Sequence, residues 1–226
     1  VGSFITALAT KPFVILTGLS GSGKTRLALA FGQWLGVDSV QVVPVRPDWT
    51  SPDSLLGYED ALAATSADGK QRWIVPKTLE FILRAAANPT RPFVLVLDEM
   101  NLAHVERYFA DVLSGMESGQ RVVPDLELGD DGEYRARSGT NDLVHLPDNL
   151  FIVGTVNVDE TTYMFSPKVL DRANTFEFRV LSSDLGGAGS LLDVEPGSPD
   201  LAAGFLEAAR LAPSASAEDD TFGARL

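Results

Sequence analysis

Residues 18–25 read GLSGSGKT, and this stretch decides how the rest of the chain is read. An apolar run, residues 13–17, precedes it. An amphipathic segment follows, residues 24–35, in which Leu27, Ala28, Phe31, Trp34 and Leu35 share one helical face. Gly18, Gly21 and Gly23 let the backbone curl so that successive N–H groups turn inward, with Ser20 and Ser22 between them. The helix start adds its positive end at the same point. Such a cradle holds phosphate. Lys24 is spaced to reach the β- and γ-phosphates of a nucleotide, and the Thr25 hydroxyl to ligate Mg²⁺. The alternative is a plain Gly/Ser turn, a pattern that chance supplies in about one chain in a hundred of this length.

Hydrolysis needs acids near that loop. The stretch VLVLDEMN, residues 94–101, provides them after the most apolar run of the chain. Asp98 ends the strand and is placed to hold Mg²⁺ through water; Glu99 is placed to polarise the attacking water as general base. The competing role for both is to cap the next helix. Asn157 follows the apolar stretch FIVGTV and could orient the lytic water, or simply serve a turn. Arg172, in SPKVLDRA, is either a finger for a neighbouring subunit's phosphate or the partner of Asp171 or Glu177 in an ion pair.

Strand-like runs at 13–17, 40–45, 93–97, 150–155 and 175–180 alternate with helical spacing at 24–35, 77–87, 103–116 and 166–173. That alternation predicts an α/β fold, a mostly parallel sheet with helices on both faces. Ser51 or Asp53 could cap a short helix through Leu56. Residues 119–149 break the alternation: short β-like pieces flank the polar tip GDDGEYRARSGTND, which reads as a β-hairpin insertion. After residue 180 the sequence turns to Gly, Ser, Pro, Ala and Asp, with one helical segment at 199–211. The expected division is a core, 1–180, and a linker with an incomplete lid, 181–226, partly disordered.

Composition bounds the function. The chain has 226 residues, 45% of them apolar, and a net charge of −13. So acidic a domain is not expected to hold nucleic acid by itself. Cysteine is absent and the two histidines, His104 and His145, lie far apart, which excludes thiolate metal sites and disfavours a histidine site. No apolar run is long enough for a bilayer, the N-terminus lacks a signal-peptide pattern, and a cytoplasmic location is expected. The chain does not begin with Met, which points to a longer parent. Arg46 and Trp49 lie on a loop that could face a pore, although an aromatic beside Pro47 more often packs.

Together GLSGSGKT, VLDEMNLAHVERYFADVLSGME, FIVGTVNVDE and SPKVLDRA resemble the Walker A, Walker B, sensor 1 and arginine-finger segments of AAA+ modules. The insertion resembles the pre-sensor-1 hairpin of the clade that holds MoxR-type, dynein-type and McrB-like modules, and the phrase DEMN is most similar to the McrB-like branch. The resemblance implies a P-loop NTPase core with a five-stranded parallel sheet, and a hairpin before the sensor 1 strand. It implies Mg²⁺-dependent hydrolysis of ATP or GTP by a ring, often a hexamer. It also implies a nuclease or recognition partner outside this stretch, in a modified-DNA restriction or phage-defence system. A MoxR-like chaperone acting on a protein client is the alternative. Two departures weigh against GTP specificity and tip the expectation slightly toward ATP, with GTP the alternative: Asn157-Val158-Asp159 shortens the family's Asn-Thr-Ala-Asp spacing, and Leu102 stands where an Arg is usual. With most of the family's helical lid missing, no sensor 2 arginine is assigned, although Arg210 stands in the tail helix.

Overall fold

The structure, a computed structural model, describes residues 2–36, 38–63, 69–138, 142–158, 164–178 and 194–212. It begins with α1 (Gly2–Thr10), β1 (Phe13–Gly18), α2 (Lys24–Leu35), β2 (Val40–Pro44) and α3 (Asp53–Leu56). Then come β3 (Tyr58–Glu59), β4 (Arg72–Ile74), α4 (Lys77–Ala87) and β5 (Phe93–Asp98). A 3-10 turn (Met100–Leu102), α5 (Val105–Tyr108) and α6 (Ala110–Ser118) lead into β6 (Val123–Pro124), β7 (Leu126–Leu128), β8 (Tyr134–Ala136) and β9 (Leu143–Val144). The chain closes with β10 (Leu150–Asn157), α7 (Pro167–Leu170), β11 (Asn174–Phe178) and α8 (Pro199–Leu211).

Five strands form the main sheet in the order β11-β1-β10-β5-β2, and every neighbouring pair is parallel. The expected α/β, P-loop type architecture is therefore present. Its centre reads as continuous apolar sequence because helices cover both faces. Alternate residues divide between the faces. Phe13, Ile15, Leu95, Leu97 and Ile152 join α4, α5 and α6 through Leu79, Ile82, Tyr108 and Leu113. Val14, Leu16, Val94, Val96, Phe151 and Val153 join α1, α2 and α8 through Phe4, Leu8, Phe31 and Phe205.

Several elements depart from the sequence reading. The helix expected at 103–116 breaks at Phe109, whose backbone (φ −105°, ψ 5°) leaves the helical region. The break accompanies full burial of two consecutive rings, Tyr108 and Phe109. Neither Ser51 nor Asp53 caps α3; Pro52 holds that position without a side-chain bond. Helix α1 has no counterpart in the expectation, although Phe4, Ala7 and Leu8 carry the 3–4 spacing of a buried stripe.

The insertion is larger than one hairpin. β7 and β8 pair antiparallel, and β8 continues onto β4 and β3, giving a second sheet in the order β3-β4-β8-β7. Residues 134–136, read as part of a polar tip, are thus a strand, with Tyr134 opposite Trp73. Arg72 holds the seam through Glu133 at 2.8 Å. β6 and β9 form a separate two-stranded antiparallel ladder.

Helix α8 matches the expected bounds. Pro199 occupies its first turn and the Ser198 side chain accepts the Leu201 N–H. It docks on the α1 and α2 face, where the Phe205 ring meets Phe31 edge-on at 5.3 Å and Phe151 at 4.8 Å. The linker-like residues 181–193 and the tail after residue 212 lie outside the described residues. Among the described residues no helix is long and apolar enough to cross a membrane.

Phe205→Ala should remove this three-ring contact and destabilise the domain by about 3 kcal/mol. Urea unfolding followed by circular dichroism measures it; an unchanged midpoint would mean that α8 is not part of the core.

Candidate nucleotide site

Parallel pairing brings three strand ends to one edge of the sheet. β1 ends at Gly18, β5 at Asp98 and β10 at Asn157. Register places Gly18 beside Asn157, and Gly154 beside Leu97 one residue before Asp98. The loop GLSGSGKT leaves from this edge and enters α2.

Gly18 admits no side chain: a Cβ there would lie 2.6 Å from the Phe178 carbonyl oxygen, and φ is +152°. Gly23 stands at the N-cap of α2 with φ +93°, the left-handed region that glycine enters freely. These two constraints set the curl of the loop. Ser20 and Gly21 lie exposed at its crest, and Ser22 and Gly23 are half-buried on the way into the helix. Lys24 is 4% exposed, so its ammonium needs partners. It donates to the carbonyls of Gly18 at 2.9 Å and Leu19 at 2.7 Å, and to the Ser22 hydroxyl at 3.3 Å. The Lys24 charge therefore lies under the loop crest, where an anion held by the loop would meet it.

The Thr25 hydroxyl donates to Asp98 Oδ1 at 2.6 Å. A second hydroxyl, Thr155, donates to the same oxygen at 2.6 Å. Glu99 follows, and it is the one non-glycine residue with positive φ (53°) among the described residues. That conformation costs on the order of 1–2 kcal/mol for an L-residue. It turns the Glu99 side chain toward Asn157, whose amide donates to Glu99 Oε1 at 3.2 Å. Glu99 opens the 3-10 turn without any side-chain capping bond. The capping role for this acid is therefore not what the structure builds.

The expected residues thus fall into one cluster: Gly18, Ser20, Gly21, Ser22, Gly23, Lys24 and Thr25 on the loop, with Asp98, Glu99 and Asn157 beside them. Thr25 and Asp98 offer hard oxygen donors, the kind that Mg²⁺ takes together with phosphate and water. Among the described residues no group of three or more acids or histidines forms a closed metal cage.

Arg172 lies apart from this cluster. Its guanidinium pairs with Glu117 on α6 and donates to the Lys168 carbonyl, and the side chain is 14% exposed. The ion pair is thus with Glu117 rather than with Asp171 or Glu177. The segment's entry is also held, because Glu106 Oε1 accepts the Ser166 N–H at 2.8 Å. Burial opposes ionisation of Glu106, but the N–H groups of Glu106 and Ser166 outweigh it and leave the carboxyl below its ordinary range. Its hold on α7 is therefore present above the ordinary carboxylate pKa and is lost as pH falls through the lowered one.

Two other candidates are placed elsewhere. Arg210 donates to the Pro89 carbonyl at 2.8 Å, at the opposite end of the sheet from the loop, and cannot serve the nucleotide from there. Trp49 packs edge-on against Tyr108 at 5.3 Å, while Arg46 pairs with Asp48, so that loop uses its aromatic for packing. Thr155 is the residue that sequence reading missed. The available signal was its two-residue spacing from Asn157, which puts both side chains on one face of β10.

Residues 13–173 match the family model of the AAA domain, dynein-related subfamily. The chain belongs to that family. It is similar to the EcoKMcrB subunit of the Type IV methyl-directed restriction enzyme of Escherichia coli K12, at 25% identity over 206 residues. That alignment covers 87% of this chain and 38% of the relative. It is also similar to component YdiS of the Type II restriction enzyme BsuMI of Bacillus subtilis 168, at 22% identity over 154 residues, covering 66% of this chain and 44% of the relative. This AAA domain thus spans less than half the length of either. A crystal structure from Cytophaga hutchinsonii aligns with 92% of this chain and 56% of its own, at 16% identity and a TM-score of 0.47.

Lys24→Ala should weaken nucleotide binding by about a hundredfold or more, because a charge-assisted contact to phosphate is lost. Titration with fluorescent ATP and GTP analogues reads this; wild-type affinity would remove the loop from the binding site.

Proposed function

We propose that this AAA domain binds and hydrolyses a nucleoside triphosphate with Mg²⁺, as the motor of a ring that serves a bacterial restriction or phage-defence system. The observation that carries the hydrolytic part is the linked set Thr25–Asp98–Thr155–Glu99–Asn157 at one sheet edge beside the loop. In this reading the loop backbone and Lys24 hold the phosphates, and Thr25 and Asp98 hold Mg²⁺. When bound, Mg²⁺ supplies neutralisation of charge on the phosphate oxygens. Glu99 accepts the proton of the attacking water, and Asn157 fixes the direction of that carboxylate.

The restriction role rests on the two similar proteins, both named as parts of restriction enzymes. It assigns recognition or cleavage of DNA to a partner chain or a further domain, consistent with the net charge of −13. Residues 1–180 carry the nucleotide site, and within 181–226, read as linker and incomplete lid, α8 packs onto that core. ATP and GTP both remain substrates of this proposal, since no loop residue singles out either base. A MoxR-like chaperone role finds no specific support among the relatives.

Ring assembly gives Arg172 its task. In one subunit its charge is matched by Glu117, and in the ring it is offered to the neighbour's transferring phosphate.

Glu99→Gln should bind nucleotide normally and lose about a hundredfold or more in turnover. Arg172→Ala should lose turnover with binding intact. Mixed together, the two variants should recover part of the activity, because some interfaces then combine an intact Glu99 with an intact Arg172. No recovery at any ratio would place Arg172 in its own subunit's structure rather than at an interface.

A further inference from the structure

Thr155 is a fully enclosed polar residue of β10, 2% exposed, in a strand otherwise built of apolar side chains and glycine up to Asn157. A hydroxyl has one proton to donate and lone pairs to accept with. Here the proton goes to Asp98 Oδ1 at 2.6 Å, and a lone pair takes the Glu99 backbone N–H at 3.0 Å. One side chain thus touches both acids at different atoms.

The consequences for the two acids differ. Asp98 Oδ1 is gripped by two hydroxyls, Thr25 from the loop and Thr155 from the neighbouring strand, so its carboxylate plane is fixed from two sides. Glu99 sits at φ 53°, a backbone state that needs external support. The bond from its N–H to Thr155 supplies that support at the residue itself. Asn157, two positions along the same strand face, then meets the Glu99 carboxylate. Gly154 makes the approach possible, since a Cβ there would lie 2.5 Å from Met100 Sδ in the turn that follows Glu99.

We infer that Thr155 is a positioning residue of the hydrolytic site: its hydroxyl sets the Asp98 carboxylate for metal and holds Glu99 in the strained turn that aims it at water. This rests on the proposed roles of Asp98 and Glu99. Thr155 itself touches neither nucleotide nor water in this scheme. Val keeps the branched shape but can neither donate nor accept. Ser keeps both bonds and loses only the methyl group.

The test uses the protein as wild type, Thr155→Val, Thr155→Ser and Glu99→Gln, with ATP and with GTP. Thr155→Val should lower kcat by about 10- to 100-fold, with KM within about threefold, and should raise by about tenfold the Mg²⁺ concentration needed for half-maximal binding of a fluorescent nucleotide. Thr155→Ser should stay near wild type in both readouts. Thr155→Ala repeats the comparison if the valine variant does not fold. Wild-type kcat and Mg²⁺ dependence in Thr155→Val would overturn the inference. So would a serine variant as impaired as the valine one, because the methyl group and its packing would then be responsible. Full turnover by Glu99→Gln would instead remove the proposed general base, and the Mg²⁺ titration would still decide whether Thr155 sets Asp98.

Discussion

Parallel pairing of β1, β10 and β5 is the constraint on which the rest of the molecule depends. The register is continuous along six residues of β1 and five of β5 against the same central strand. It forces Gly18, Asp98 and Asn157 to end at one edge. Parallel strands need crossovers, and each crossover puts a helix on a face of the sheet. The apolar character of the central strands, the two separate core clusters and the shared edge are thus one consequence of one arrangement. A slip of a single residue would turn Asn157 away from Glu99 and bury it in the opposite face.

Within that edge, side chains convert alignment into a directed site. The cost of Glu99 in the left-handed region is local, and the bonds that offset it come from β10. A backbone held off its preferred region beside two acids and a buried lysine is an arrangement suited to chemistry rather than to packing. By contrast Arg172 is paired inside its own chain with Glu117, and the entry to α7, the helix just before it, is held by Glu106. Both carboxylates lie on the helices that follow Glu99. Movement of those helices would therefore carry the arginine with it.

Much of this was legible in the residues. The loop, the acidic strand end and the strand–helix alternation follow from fixed local chemistry: glycine for curl, apolar runs for buried strands, Pro and Asn-Pro for helix ends. Helices α2 and α4 and helix α8 match their expected bounds for that reason. What escaped was set by distant partners. The β3-β4-β8-β7 sheet joins segments about sixty residues apart, and nothing inside residues 58–74 or 134–136 marks them as strands until they pair. The break at Phe109 depends on where two rings find room, and the partner of Arg172 lies on α6 rather than beside it in sequence. Thr155 was missed because its two-residue spacing from Asn157 gains meaning only once the residues opposite it, Asp98 and Glu99, are known.

The claim at the centre is that this edge hydrolyses a nucleoside triphosphate. Phosphate release by the protein, with ATP and with GTP, each with Mg²⁺ and with EDTA, tests it most directly. The expected result is sustained, Mg²⁺-dependent release from at least one of the two nucleotides. Tight binding of both without release from either, across a wide range of protein concentration, would contradict it and leave a site that binds and only switches.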